Sequence, residues 1–166
     1  LDGGRGTVVR TYNAGTAASS SAPPAVRADG SIVWVREKGV RVLDPTTGDT
    51  VWETQVGGTS TQVSAIGPDG TVYVGCLTDR SISALDGATG ALRWRFVDPT
   101  GMPNGGAVSS DGRLFLGANG GKVYSFDPAD GRITWQFSMP SGFQGAALAA
   151  DGSDDLDPSS PTPESR

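Results

Sequence analysis

Along this chain apolar and polar positions alternate with a period of two, in short runs closed by Asp, Gly or Pro. Such a period sends successive side chains to opposite faces of a strand, so the pattern predicts many short strands and an all-β chain. The runs come in fours. "APPAV" is followed by "SIVWV", "VRVLD" and "TVWETQV"; the second set is "VSAIG", "TVYVGC", "SISALD" and "LRWRFV"; the third is "GAVSS", "RLFLGA", "KVYSFD" and "ITWQFS". An Asp-Gly pair joins the first two strands of each set, which predicts antiparallel hairpins on type I′ turns with positive φ at both central residues. The third strand of the first set follows a Lys38-Gly39 turn, and the fourth follows "PTTG". First strands are rich in small residues (Ala65, Ala107, Ala146, Ala147), which suits a crowded innermost position around a central axis.

The sets repeat. Trp52, Trp94 and Trp135 are 42 and 41 residues apart, and Gly48, Gly90 and Gly131 keep the same steps, as do Asp44, Asp86 and Asp127. Independently, Asp29-Gly30, Asp69-Gly70, Asp111-Gly112 and Asp151-Gly152 recur at 40, 42 and 40 residues. A period of about 40 in a β-rich chain is that of propeller blades. The turn before each fourth strand has a physical logic: the Asp86 carboxylate and the Thr89 hydroxyl accept backbone N–H groups, and Gly90 takes the left-handed conformation that closes it. Trp94, four residues past that Gly, is placed to lay its indole over a flat turn and against the next sheet. Burying about 150–250 Å² per aromatic makes it an inter-blade clamp rather than an exposed sugar-stacking platform.

These residues carry a resemblance. The pattern A-x-D-x-x-T-G-x-x-x-W is similar to the tryptophan-docking motif of the quinoprotein-type, or PQQ-repeat, β-propellers. The second set has it in full as Ala84, Asp86, Thr89, Gly90 and Trp94. The first has Val42, Asp44, Thr47, Gly48 and Trp52; the third has Ser125, Asp127, Asp130, Gly131 and Trp135. At the start Leu1, Asp2 and Gly6 keep the register, with Arg10 where Trp belongs. The expected fold is a PQQ-like β-propeller arc of three complete four-stranded blades plus one split blade, over residues 1–152. The units are 1–20 (partial), 21–60, 61–104, 105–144 and 145–152 (partial); "TVVRTY" adds an outer strand and "GAALAA" an inner one. Residues 153–166, acidic and rich in Ser and Pro, read as a disordered tail. WD40 repeats differ in having Trp-Asp before the turn and a His-containing loop, and this chain has no His.

Composition narrows the function. The 166 residues carry 18 acidic and 13 basic side chains, a net charge of -5 with no Lys/Arg run, so nucleic acid is not an expected partner. No stretch approaches the ~18 apolar residues of a membrane-spanning helix. The start at Leu1 rather than Met reads as a processed chain or a fragment. Cys76, in "TVYVGC", reads as a small buried hydrophobe. Without His there is no ordinary general base near neutral pH and no ordinary Zn²⁺ ligand, and most of the recurrent carboxylates are committed to turns. Asn119-Gly120-Gly121 reads as a hairpin rather than a phosphate loop, since no helix follows. "DGSDDLD" lacks the distal Glu of an EF-hand and reads as solvated tail.

Within the resembled family, quinoprotein dehydrogenases hold pyrroloquinoline quinone and Ca²⁺ with a vicinal Cys pair, a stacking Trp and axial carboxylate and amide ligands. None of that set is legible here, so no catalytic residue, metal site or cofactor is expected. Non-catalytic members, such as the assembly lipoprotein of the outer-membrane β-barrel machinery or the extracytoplasmic sensor domains of some bacterial kinases, use the blades as a binding platform. The resemblance therefore implies a non-enzymatic binding or scaffold propeller outside the cytoplasm, with a protein or surface-polymer partner. The alternative is a fragment of a PQQ-dependent oxidoreductase whose ligands lie in missing blades. The irregular loops opposite the Asp-Gly turns gather Asp79, Arg80, Met102, Asn104, Met139 and Phe143, which form the candidate binding face. Because known propellers close with four to eight blades, an arc of this size is expected to be part of a longer chain or to close its ring as a homodimer.

Overall fold

The computed structural model describes residues 11, 23–36, 38–58, 61–99, 101 and 103–138, without the side chains of 61–64, 103 and 104. Twelve strands follow one another: β1 (Ala25–Val26), β2 (Ile32–Arg36), β3 (Gly39–Leu43), β4 (Thr50–Gln55), β5 (Thr61–Ile66), β6 (Val72–Cys76), β7 (Ser81–Leu85), β8 (Leu92–Val97), β9 (Pro103–Val108), β10 (Leu114–Ala118), β11 (Lys122–Phe126) and β12 (Ile133–Ser138). They form three four-stranded antiparallel meanders, β1 to β4, β5 to β8 and β9 to β12. Among the described residues there is no helix. β5 lies against β9 and against β2, which puts the small-residue first strands innermost and the Trp-bearing strands outermost. The all-β propeller arc predicted from the repeats is thus found in its three blades. Its split-blade strands, 7–12 and 145–150, lie outside the described residues apart from Thr11, as does the tail.

Alternation along each strand decides which neighbour a side chain meets. Val33, Val35, Val40, Val42 and Trp52 of the first blade pack on Val72, Val74 and Leu85 of the second. Tyr73, Ile82, Ala84 and Trp94, on the other face of the second blade, pack on Leu114, Leu116, Tyr124 and Phe126 of the third. β6, enclosed on both faces, is therefore buried at every position, Cys76 included. Outer strands keep the alternation, and β4 and β8 share one pattern in which only the Trp is fully buried. In β12 Trp135 is only partly buried and Phe137 is 51% exposed.

Two local expectations are corrected. The Asp-Gly hairpins are not type I′: Gly30, Gly70 and Gly112 have φ of 83°, 83° and 92°, but Arg80 is the sole non-glycine with positive φ among the described residues. Instead Gly30 N donates to Arg27 O (2.9 Å) and Arg27 N to Ser31 O (2.9 Å), a three-residue loop ending in a glycine bulge. The reason lies in the Asp side chain, which accepts the N–H two residues on, Ser31 N to Asp29 Oδ1 at 2.9 Å and Thr71 N to Asp69 Oδ1 at 3.0 Å, and so stays in an ordinary conformation. Gly39, read as a turn residue, opens β3 and pairs with Arg36. A Cβ there would meet Thr54 O at 2.6 Å, so the position serves close strand approach rather than the turn.

Candidate functional site

The turn between the third and fourth strands is built on its Asp. Asp86 Oδ1 accepts from Ala88 N (3.0 Å), Thr89 N (3.0 Å) and Thr89 Oγ1 (2.9 Å), while Gly90, at φ 74°, donates its N–H to Asp86 O (2.8 Å). Asp44 holds Thr46 N and Thr47 N in the same way. In the third blade the work is divided: Asp127 accepts Ala129 N, and Asp130 accepts Arg132 N. The closed turn presents its carbonyls to the preceding blade. Trp52 Nε1 donates to Gly87 O at 2.9 Å, and Thr54 Oγ1 to Gly90 O at 2.6 Å. One blade on, Trp94 Nε1 donates to Pro128 O at 2.9 Å. A Cβ on Gly90 would stand 2.5 Å from Trp52 Cε3, and one on Gly131 2.5 Å from Trp94 Cε3, so each indole lies where the next blade's glycine has no side chain.

Docking is therefore directional, each Trp reaching forward by 35 or 34 residues. Sequence reasoning supplied the residues but not this direction. Two halves remain at the ends of the arc. Trp135 has no turn ahead of it among the described residues. The Asp44–Gly48 turn has no described indole upon it: Pro45 is exposed and Gly48 partly so, where Gly87 and Gly90 are buried.

On the loop face, Asp79 and Arg80 are brought together at the β6–β7 turn. Asp79 Oδ1 accepts Ser81 Oγ at 2.7 Å, and Oδ2 pairs closely with Arg95 Nη2. Burial raises the Asp79 pKa, but the Cys76 thiol, Ser81 and Arg95 outweigh it and hold the carboxyl below its ordinary range. Arg80 sits at φ 55°, donates from Nη1 to Pro99 O (2.9 Å), and accepts Asp98 N on its own carbonyl (2.9 Å). The equivalent position before β11 is Gly121, at φ 79°. Asn104 lies in β9 opposite Gly117, and Met102, Met139 and Phe143 lie outside the described residues.

Asp98 was missed by sequence reasoning. It is 3% exposed and accepts Tyr124 Oη at 2.7 Å across the seam between the second and third blades. Its signal was available, since it occupies the repeat position filled by buried Val56 in the first blade, where Val56 N likewise donates to Lys38 O.

The opposite face is laced by Arg93, which reaches Asp69 Oδ2 (2.7 Å), Thr71 Oγ1 (2.6 Å) and Asp86 Oδ2 (2.9 Å) and so ties the β5–β6 hairpin to the β7–β8 hairpin. Val51 holds that position in the first blade, where a groove of about 320 Å³ opens beside Asp29, Asp44 and Thr46. Arg93 first, then the Thr89 hydroxyl, holds the Asp86 carboxyl at about 2, against an ordinary 3.8. A carboxyl depressed in the folded state adds stability that is present above pH 3.8 and lost as pH falls through about 2. Urea midpoints are accordingly expected to drop across that window, and Asp86→Asn to make the drop shallower; an unchanged slope would remove Asp86 from this role.

The sequence matches the family described as outer membrane protein assembly factor BamB over residues 36–99 and again over 78–154, two registers one blade apart. No curated protein sequence matches it. Among solved structures it is similar to BamB from Moraxella catarrhalis, at 22% identity and a TM-score of 0.56 over 70% of this chain and 36% of that one. It is also similar to the computationally designed Ika8 protein, at 16% identity and a TM-score of 0.66 over 77% and 39% of the two chains. The chain thus spans well under half the length of either, and likenesses this distant carry the fold alone. The family match, spanning residues 36–154 in two registers, agrees with the forward-docked Trp ladder, and the chain belongs to the PQQ-repeat β-propeller family described as outer membrane protein assembly factor BamB.

Proposed function

We propose that this chain is a non-enzymatic scaffold that holds a protein partner on its loop face, outside the cytoplasm. The observation that carries the reading is Arg80. A branched-free but bulky side chain at φ 55° costs about 1–2 kcal/mol where the neighbouring blade uses glycine, and strain of this kind persists where a side chain is needed for more than packing. Arg80 is anchored through Pro99 O beside an Asp79 fixed by Ser81 and Arg95, a rigid charged pair of the sort that sets register at an interface. Asp29, Asp44, Asp69, Asp86 and Asp127 are occupied in holding turns, and among the described residues no three Asp, Glu or Cys side chains converge as metal ligands. Assembly of other proteins, named in the family's description, is an activity that needs only such a surface.

Arg80→Gly tests this without dismantling the fold, because relief of the strain offsets the lost hydrogen bond and the added chain entropy to within about 1 kcal/mol. The wild-type chain, Arg80→Gly and an Asp-Gly-face control, Arg113→Ala, are immobilised and exposed to an extracytoplasmic fraction, with bound proteins identified by mass spectrometry. Arg80→Gly is expected to lose proteins that the other two retain. If Arg113→Ala loses them instead, or all three retain the same set, the loop face is not the binding face. The wild-type chain incubated with PQQ and Ca²⁺ is expected to elute free of quinone absorbance; stoichiometric co-elution would support the oxidoreductase reading in its place.

A further inference from the structure

We propose that the seam between the first and second blades is a hinge, which opens locally while the seam between the second and third blades stays shut. The hinge goes beyond the loop-face reading and does not depend on it. Both seams are internal to the three blades, and each is closed by one docked indole, Trp52 or Trp94, both 7% exposed. What surrounds the two indoles differs. In the second seam Trp94 stacks on Phe126 at 5.8 Å, and Phe96 lies 5.5 Å from Tyr124 and 5.1 Å from Phe126. In the first seam Trp52 has no ring partner among the described residues, and the side chains packed with it are aliphatic, Val72, Val74 and Leu85 among them. Ring pairs hold more firmly than their area alone accounts for.

The connections differ in the same sense. Val56 is followed by Gly57 and Gly58, at φ 86° and 48°, whereas its counterpart Asp98 is followed by Pro99. Two glycines free the backbone where a proline fixes it. Pro99 is also tied down, its O accepting Arg80 Nη1 at 2.9 Å, while Asp98 accepts Tyr124 Oη at 2.7 Å across the seam. Against that bond the first seam sets Thr54 Oγ1 to Gly90 O at 2.6 Å, so rings and connectors decide the difference.

Arg27 adds a penalty for closure. Beside the hairpin glycines of the first and third blades stands a proline of the same blade: a Cβ on Gly30 or Gly112 would lie 3.7 Å from Cγ of Pro45 or Pro128. The second blade has Gly87 at that place, and Arg27 of the first blade fills the gap, its Nη2 standing 2.9 Å from where a Gly70 Cβ would be. Arg27 Nε is buried there without an acceptor among the described residues, and Asp29 Oδ2 is 3.7 Å from Nη1. Water satisfies such a donor once the blades part. A groove of about 260 Å³ already runs along this seam, between Arg27 and Asp29 on one side and Ile66 and Asp69 on the other. Parting the blades lifts the two glycines off the second blade, where a Cβ on Gly58 would meet Cys76 Sγ at 2.5 Å and Gly57 O accepts from that Sγ at 3.6 Å. The movement uncovers Cys76, 1% exposed when the seam is closed.

The two indole N–H groups report the two seams separately, since Trp52 Nε1 donates to Gly87 O and Trp94 Nε1 to Pro128 O. Hydrogen exchange of both is followed by NMR on the 166-residue chain, without urea and at low urea. The Trp52 Nε1–H is expected to exchange at least about tenfold faster than that of Trp94, with the shallower urea dependence that marks local opening. Cys76, the sole cysteine, is expected to react with iodoacetamide through the same opening, with the urea dependence of Trp52. Pro99→Gly combined with Tyr124→Phe should raise the Trp94 rate to that of Trp52, which stays as it was. Equal protection of the two indoles, or a Trp52 or Cys76 that opens only with global unfolding, would overturn the hinge. So would a double variant that leaves Trp94 as protected as before or loosens both seams alike.

Discussion

Trp94→Ala is expected to lower the stability of the chain by about 3–5 kcal/mol, the cost of truncating a large buried aromatic that leaves its cavity behind. The indole is 7% exposed and lies between two blades, stacked on Phe126 with centroids 5.8 Å apart and tilted 5.7 Å from Tyr73. Its removal also leaves Pro128 O without its 2.9 Å donor and uncovers Gly131. The backbones of Tyr73 and Ala84 beside the gap are held in register by strand pairing, so the blade cannot close over it. Trp135→Ala is the internal comparison. Being only partly buried where Trp94 is 7% exposed, it should cost well under half as much when truncated. Urea midpoints at fixed m-value measure both. A Trp94→Ala shift equivalent to under about 1 kcal/mol would show that the seam does not depend on the indole.

The strands, the period and the three Trp positions were legible because each was stated three times: one physical requirement, repeated every 40 residues or so, leaves the same residue types at the same register. What was not legible depends on a partner distant in sequence. Asp79 looked available on a loop, yet Arg95, 16 residues on and on the outermost strand of the same blade, takes its carboxylate. Asp98 drew no notice in the sequence, and its bond to Tyr124 of the following blade is what accompanies its burial. The Asp-Gly turns failed for a local reason. Asp followed by Gly is compatible with a two-residue I′ turn and with a three-residue loop ending in a glycine bulge, and the choice was made by the residue after the pair, whose N–H the carboxylate captures. Arg80 carried no signal by itself. Its strain becomes visible only on aligning it with Gly121, one blade later.

Gly90→Ala is expected to cost nearly as much as losing a docked Trp, although it adds one methyl group to the surface of a turn. Two penalties combine. At φ 74° an L side chain is held in the left-handed region at about 1–2 kcal/mol. The added Cβ would also stand 2.5 Å from Trp52 Cε3 and 2.6 Å from Thr54 Oγ1, so the indole must lift, taking with it the 2.9 Å bond to Gly87 O and the 2.6 Å bond from Thr54 to Gly90 O. The blade cannot give way instead, since Gly90 N is tied to Asp86 O and Asp86 to Thr89 and Ala88. If this account holds, the methyl and the indole compete for the same space, and their effects cannot add. In a Trp52→Ala background the clash with the indole is gone, and Gly90→Ala retains the backbone cost, about 1–2 kcal/mol, with the contact to Thr54 Oγ1. A double-mutant cycle on Trp52→Ala and Gly90→Ala should therefore show a double mutant more stable than the sum of the singles predicts, by about 1–3 kcal/mol. Strict additivity would mean that Gly90 is required by its backbone alone, and that the indole of the preceding blade does not rest on it.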